Sequence, residues 1–170
     1  MKQFILVLVT LFFAVRGAYA ESSKVTWADE VRVIAPKVME TFGDLIQEYA
    51  RETGVSPDIL FGIMLVESSG NPDVPGGLMQ TVSAAREETD IKCDTRKPAC
   101  SMRIGSAYVQ ILQKQYGCKT WKQLALAYHL GPVGALKVRA PDRHPYVQRV
   151  LFAKSFYWQT LATNEFTSIE

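Results

Sequence analysis

Apolar residues recur at helical spacing along most of this 170-residue sequence. In the first such segment they lie three or four positions apart, so they would share one face of a helix. The members of this face are Val31, Ala35, Val38, Phe42, Leu45 and Tyr49. Pro36 and Gly43 predict a break or kink within this helix, and Gly54 predicts its end. The spacing therefore favours a helical fold.

The same spacing predicts further helices between turn signals. Ser56-Pro57 provides an N-cap and a first-turn proline for a second helix that runs to about Ser68. Residues 71–77, with two prolines and two glycines, predict a loop. The remaining predicted helices are Val82 to Glu88, Ser101 to Tyr116, one from a Thr120 capping box to Gly131-Pro132, and one opened by His144-Pro145. Strand signals are confined to Pro75 to Val82, so the predicted class is mainly α, a single domain with at most a minor β element.

The first 20 residues have the pattern of a secretory signal peptide. Lys2 is followed by an apolar run from Phe4 to Val15, and Ala18-Tyr19-Ala20 has the small-x-small form of a cleavage site. The run is short for a membrane span and Arg16 interrupts its end, which makes a retained anchor the less favoured alternative. We therefore predict cleavage after residue 20 and a periplasmic location.

Charge excludes one class of partner. The chain has 19 Lys and Arg and 17 Asp and Glu. Removing Lys2 and Arg16 with the predicted signal peptide leaves 17 of each sign and a net charge of zero. A nucleic-acid binder would need a basic excess or stripe, so nucleic acid is not expected as a partner.

The three cysteines fit an exported protein better than a metal protein. Cys93 and Cys100 bracket the short polar segment DTRKPA, and export to an oxidising compartment favours a disulfide between them. Cys118 is then a spare buried thiol. Neither C-x-x-C nor H-E-x-x-H is present, so neither a metal nor a cofactor is predicted.

The second predicted helix ends in a carboxylate with an apolar approach. Its inward stripe is Leu60, Ile63, Met64 and Glu67. Burial against apolar neighbours and the negative end of the helix dipole would both raise the pKa of Glu67. A carboxyl group protonated near neutral pH is what a general acid requires. The alternative is an ordinary glutamate that ends an amphipathic helix and points to water.

Several motifs together resemble one family. ESSGNP is followed by GLMQ, then by ALAYHLGP and HPYVQRV, in an order similar to that of the soluble lytic transglycosylase domain, a relative of goose-type lysozyme. The resemblance runs from about Ser56 to Tyr157. It implies a lysozyme-like α-rich catalytic domain at residues 56–162, preceded by a helical segment at 21–55 and followed by a tail at 163–170.

The resemblance also implies roles for particular residues. Glu67 corresponds to the single catalytic acid of the family, and the block that lines the sugar groove corresponds to Gly77, Leu78, Met79 and Gln80. Tyr128 and Tyr146 correspond to tyrosines near the acid, and we expect the Tyr128 hydroxyl to bond Glu67.

Four of the predicted substrate contacts have alternatives, and for Tyr128, on an apolar helical face, the alternative is core packing alone. Ser68 either orients the acid or caps the helix end. Gln80 either bonds an N-acetyl group or closes a turn, and Met79 is either groove wall or core. His129 stands where the family usually has asparagine, and we predict that it borders the groove.

The reaction implied is cleavage of the MurNAc–GlcNAc bond of peptidoglycan. Hydrolytic glycosidases usually use two carboxylates, and no second acid stands out here. The resemblance implies that the MurNAc 6-hydroxyl attacks instead, giving a 1,6-anhydro product. The alternatives are a muramidase that uses water and an inactive glycan-binding or scaffold protein. Small members of the family imply a role in local wall opening for secretion or pilus machinery, and a monomer is expected.

Overall fold

The computed structural model describes residues 26–81 and 83–167. The predicted signal peptide at residues 1–20 lies outside these ranges. Backbone contacts divide the chain between Glu30 and Val31. Of the part before the division, only residues 26–30 are described, and they include the start of the first helix.

The described residues are helical and contain no strand. Six helices follow one another, with a single 3-10 turn at Pro141–Arg143 before the last. The helices are α1 Trp27–Thr53, α2 Pro57–Ser68, α3 Ser83–Thr89, α4 Pro98–Lys114, α5 Trp121–Ala135 and α6 Pro145–Thr167. This confirms the prediction of a mainly α fold.

The minor β element that the sequence allowed at Pro75 to Val82 is absent from the residues of this segment that the structure describes. Residues 75–80 form turns, and Val82 is not described. The backbone bonds of this segment are local: the amides of Gly77 and Gln80 donate to the carbonyls of Val74 and Gly77, at 2.9 and 3.0 Å. Three positions, Gly76, Gly77 and Gln80, have positive φ, which a strand cannot accommodate.

Helix α2 is the centre of the fold. Seven consecutive residues, from Ile59 to Leu65, are buried, so the helix is enclosed on all sides rather than along one stripe. Its main neighbour is α6. The two helices approach closely at Gly62, where a Cβ atom would lie 3.0 Å from the Val150 carbonyl oxygen. Each large apolar side chain buried here contributes about 1.5–3 kcal/mol of transfer free energy.

The break predicted within the first helix is absent, whereas the N-cap and first-turn proline predicted for the second helix are present. Helix α1 continues without a break through Pro36 and Gly43. Pro36 is exposed, so water can bond the carbonyl that its missing N–H leaves free. At the start of α2, Ser56 occupies the N-cap position, but its hydroxyl donates to the Asp58 carboxylate at 2.6 Å instead of capping an amide.

The other boundary signals were correct. Thr120 and Gln123 form the predicted capping box at the start of α5. Gly131 leaves helical geometry with φ 71° and ψ 161°, so the regular part of α5 ends where Gly131-Pro132 predicted. One more helical turn then reaches Ala135.

The predicted disulfide is present. Cys93 and Cys100 are bonded, with their Cα atoms 5.9 Å apart, and the bond ties the segment after α3 to the first turn of α4. Cys118 is a free thiol as predicted, but it is half-buried rather than fully buried. Within residues 26–81 and 83–167, no helix has both the length and the apolar character needed to cross a membrane.

Candidate active site

Glu67 lies in the last turn of α2, where the buried helix reaches the surface. The side chains that precede it on the same face, Leu60, Ile63 and Met64, have no exposed surface. Glu67 itself is half-buried. Burial raises the pKa of its carboxyl group, and a hydrogen bond from Tyr146 opposes that rise without cancelling it. The pKa is therefore raised, as the sequence predicted, because desolvation disfavours the charged form.

Tyr146, in the first turn of α6, is the hydrogen-bond partner of this acid. Its hydroxyl donates to Glu67 Oε1 at 2.6 Å. Burial and the neighbouring carboxylate raise the pKa of Tyr146 well above its usual value of 10, so the phenol remains a donor. Because Oε1 accepts this bond, Oε2 is the oxygen free to carry the acid proton.

His129 contacts the tyrosine rather than the acid. Its ring stacks on that of Tyr146, with centroids 4.2 Å apart and planes 10° apart. The imidazole is exposed on its other side. Partial burial, and then the proximity of His144, lower the pKa of His129, which favours a neutral ring at pH 7. Its predicted place at the border of the groove stays a prediction.

The expected bond between Tyr128 and Glu67 is wrong. The Tyr128 hydroxyl donates to the Met79 carbonyl oxygen at 2.7 Å. Its ring lies 5.7 Å from that of Tyr108, centroid to centroid. Tyr128 therefore holds the turn that follows α2 instead of the acid itself, and burial raises its pKa well above 10.

The block from Gly77 to Gln80 divides between core and site. The side chains of Leu78 and Met79 are fully buried. Met79 is therefore part of the core rather than of the groove wall. Gly77 is buried as well. Gln80 is half-buried, and its side-chain amide donates to the backbone carbonyl of Glu67. In this block, Gln80 is the side chain that meets the acid-bearing helix end.

The hydrogen bonds of Ser68 fit the second role suggested for it, which is to cap the end of the helix. Its hydroxyl donates to the Met64 carbonyl at 3.1 Å and accepts from the Gly70 amide at the same distance. Both partners belong to the chain around the end of α2. The side chain is buried, so these two bonds turn the chain after Glu67.

The sequence interpretation missed His144 as a member of this cluster. His144 Nδ1 accepts from the Tyr146 amide at 3.3 Å, and its ring is 5.8 Å from that of His129. A signal was available, because the chain has two histidines in all and each is separated from a site tyrosine by at most one residue. The sequence assigns His144 a place in the HPYVQRV motif and at a helix start, but no role at the site.

The site is built around one carboxyl group. Neither cause of the pKa shift of Glu67 is a second carboxylate. Asp73, the nearest acid along the following loop, is exposed, and its amide donates to Asn71 Oδ1 at 2.9 Å in a local turn. Across the described part of the chain, no three His, Cys, Asp or Glu residues are grouped as metal ligands would be.

Comparison with known proteins shows the family to which the sequence is similar. The sequence profile of the family described as "Transglycosylase SLT domain" matches residues 44–145. These residues include Glu67, Gln80 and Tyr128, and end one position before Tyr146. The "Membrane-bound lytic murein transglycosylase C" of Haemophilus ducreyi is 31% identical over 145 residues, which covers 72% of this chain and 38% of that protein. The chain thus spans about two fifths of the length of this relative.

Proposed function

The chain belongs to the transglycosylase SLT domain family, and we propose that it is a lytic transglycosylase that cleaves the β-1,4 bond between MurNAc and GlcNAc in peptidoglycan. The relative with which it shares 31% identity is itself named a lytic murein transglycosylase. The bond in question joins the anomeric carbon of MurNAc to O4 of the next GlcNAc. Its cleavage requires a proton for the leaving oxygen.

The observation that carries the proposal is the partly buried environment of the Glu67 carboxyl group. Its carboxyl group is half-buried at the end of an apolar helix, and its pKa is raised by that burial. A general acid works best when its pKa lies near the operating pH. The bond from Tyr146 to Oε1 fixes the orientation of the group, so that Oε2 presents the proton.

The reaction follows from one carboxyl group acting twice. Glu67 Oε2 donates its proton to the glycosidic O4, and the bond between C1 of MurNAc and O4 breaks. Positive charge that develops at C1 is attacked by the 6-hydroxyl oxygen of the same sugar. The Glu67 carboxylate accepts the proton of that hydroxyl, which closes the 1,6-anhydro ring and returns the acid to its starting state.

Tyr146 assists in the charged stage of this cycle. After the first proton transfer, Glu67 is an anion in a partly desolvated place, and the tyrosine hydroxyl remains bonded to it. Hydrogen bonds to ionised groups are roughly twice as strong as neutral ones. The bond therefore stabilises the carboxylate that must wait for the second proton.

The test is the chemical form of the products. The purified protein is incubated with cell-wall sacculi, and the soluble fragments are analysed by mass spectrometry. We expect muropeptides that end in 1,6-anhydroMurNAc, which are lighter by one water than the hydrolytic products. Fragments that end in reducing MurNAc would instead identify a muramidase, and glycan binding without fragments would identify a binding or scaffold protein.

The cellular location of this activity is proposed in less detail. The relative named as membrane-bound supports a cell-envelope location, and we propose the periplasm. Local wall opening for a secretion or pilus system, and a monomeric state, stay predictions. Mapping the protein in cell fractions, with light scattering of the purified protein, would test location and oligomeric state separately.

A further inference from the structure

The turn formed by Gly76 to Gln80 adjoins the acid but has little regular structure of its own. Gly76, Gly77 and Gln80 have φ values of 85°, 71° and 42°. For Gln80, a residue with a Cβ atom, the left-handed conformation costs about 1–2 kcal/mol. Such a conformation persists where the surroundings impose it, so the contacts of this turn with the rest of the molecule determine its shape.

One of these contacts comes from Ser101, near the start of α4. Its side chain is completely buried. Ser101 Oγ accepts from the Met79 amide at 2.9 Å and donates to the Gly76 carbonyl at 3.2 Å. The single hydroxyl therefore bonds both limbs of the turn, and it satisfies two backbone groups that have no helix or sheet partner.

A second contact comes from the segment closed by the disulfide. A Cβ atom on Gly77 would lie 1.9 Å from the Thr95 carbonyl oxygen, so the two backbones are in direct contact. Thr95 lies between Cys93 and Cys100, which are bonded to each other. Ser101 is the residue that follows Cys100. The disulfide thus constrains the chain at both groups that contact the turn: Thr95 lies inside the closed loop, and Ser101 follows its second cysteine directly.

The opposite side of the turn reaches the acid. The Gln80 side-chain amide donates to the Glu67 backbone carbonyl, and Tyr128 donates to the carbonyl of Met79. A turn that moved away from α4 would lose its alignment with the end of α2. The bond from Tyr146 to the Glu67 carboxyl does not involve the turn, because Tyr146 belongs to α6.

We propose that the disulfide-closed segment and Ser101 form a brace that holds the Gly76–Gln80 turn against the catalytic helix, with Ser101 as a positioning residue for glycan binding. The assignment of the turn to the glycan groove rests on the proposed function. Ser101 acts through the turn and touches neither the acid nor the substrate. Loss of the brace weakens binding of substrate and transition state together, so KM rises and kcat changes little.

The test compares two serine-to-alanine variants on the same helix. Ser101→Ala removes the brace, whereas Ser106→Ala removes an equally buried hydroxyl whose bond, to the Arg103 carbonyl, stays within α4. In Ser101→Ala we expect amide exchange at Met79 to accelerate about tenfold, as for the loss of one ~1.4 kcal/mol hydrogen bond. With glycan strands released from sacculi by an amidase as substrate, KM should rise about fivefold, or ~1 kcal/mol of binding. Ser106→Ala should change neither quantity.

A second variant keeps the proposal testable if Ser101→Ala does not fold. Cys93→Ser/Cys100→Ser opens the loop and should raise KM in the same direction, while Cys118→Ser serves as its control. Circular dichroism establishes that each variant is folded. Unchanged Met79 exchange and KM in the folded Ser101→Ala or double-serine variant would overturn the brace. Wild-type protein that neither binds nor cleaves glycan would instead overturn the proposed function, and the exchange measurement would still decide the brace on its own.

Discussion

Helix α2 has a carboxylate at each end, and the two behave in opposite ways. Asp58, in the first turn, is buried, and so in large part is Glu67 in the last turn. Burial alone would raise the pKa of both. The pKa of Glu67 is raised, whereas that of Asp58 is lowered because hydrogen bonds from Lys154, Ser56 and Trp158 outweigh the burial.

The partners explain the difference. Asp58 receives the Lys154 ammonium at 2.7 Å and the Trp158 indole N–H at 3.3 Å, both on Oδ2. Glu67 receives one neutral phenol. The helix dipole acts in the same sense, since it stabilises an anion at the N-terminus and destabilises one at the C-terminus. Burial therefore raises the pKa of a carboxyl group that has no cationic partner, as the proposed general acid requires, whereas the cation beside Asp58 keeps that group ionised.

The most direct way to break this comparison is to remove the catalytic end. Glu67→Gln keeps the shape and the bond from Tyr146 but has no proton to give. We expect turnover of sacculi to fall at least about 10²-fold, the scale for losing a general acid. The variant should stay folded, as judged by circular dichroism, and should still bind sacculi in a pull-down. Undiminished cleavage would mean that the carboxylate is only the end of a helix.

A substitution of Asp58, at the other end of the helix, should change the stability of the protein rather than its turnover. Asp58→Asn leaves Lys154 partly buried beside a neutral amide, and we expect a loss of about 2 kcal/mol in the free energy of unfolding. Urea denaturation measures the loss. Activity per folded molecule should remain close to that of the wild type. A variant with full stability and a tenfold loss of activity would reverse the roles assigned to the two carboxylates.

Tyr146→Phe sharpens the comparison by removing the one partner of the acid. The hydrogen bond from Tyr146 favours the ionised form of Glu67, so removing this bond raises the pKa of Glu67 further. Activity requires the protonated acid and falls as pH rises through that pKa. The alkaline limb of the pH–rate profile should therefore move to higher pH. We also expect turnover to fall about tenfold, from the loss of a bond to a charged group. A limb that moves to lower pH would contradict this account.

The two carboxylates should also give opposite pH dependences of stability. The lowered pKa of Asp58 stabilises the fold above the ordinary pKa of aspartate, about 4, and this contribution is lost as pH falls. The loss of unfolding free energy caused by Asp58→Asn should therefore be smaller at acidic pH. The raised pKa of Glu67 destabilises the fold as pH rises through it, so Glu67→Gln should gain stability relative to wild type at neutral pH and lose that gain in acid. The test is to measure denaturation curves of both variants in parallel between about pH 3 and 8. This interval extends about one unit or more beyond the ordinary pKa values of Asp and Glu on each side.

The smallest effect is expected for His129. Its ring stacks on Tyr146, and it is Tyr146 that donates the hydrogen bond to Glu67. His129→Asn should keep turnover within about threefold of the wild type, less than the loss of one ordinary hydrogen bond. A loss as large as that of Glu67→Gln would place the histidine in the catalytic pair.

Local signals in the sequence predicted most of the fold. The capping box at Thr120, the stop at Gly131-Pro132 and the apolar approach to Glu67 are properties of a few adjacent residues, and the structure has all three. The disulfide could also be predicted from the sequence, because Cys93 and Cys100 are close along the chain. Pro36 was misleading, since a proline on an exposed helix face does not have to break the helix.

The sequence by itself thus determined the helices, the acid and its apolar surroundings, because these depend on neighbours within one or two helical turns. Tertiary structure decided which partner each polar group received. Tyr146 bonds the acid from 79 residues away and Tyr128 bonds the Met79 carbonyl from 49, although the sequence favoured Tyr128 as the partner of Glu67. Only the packing of α5 and α6 around α2 sets the direction of each hydroxyl, since a hydrogen bond requires placement within a few tenths of an ångström.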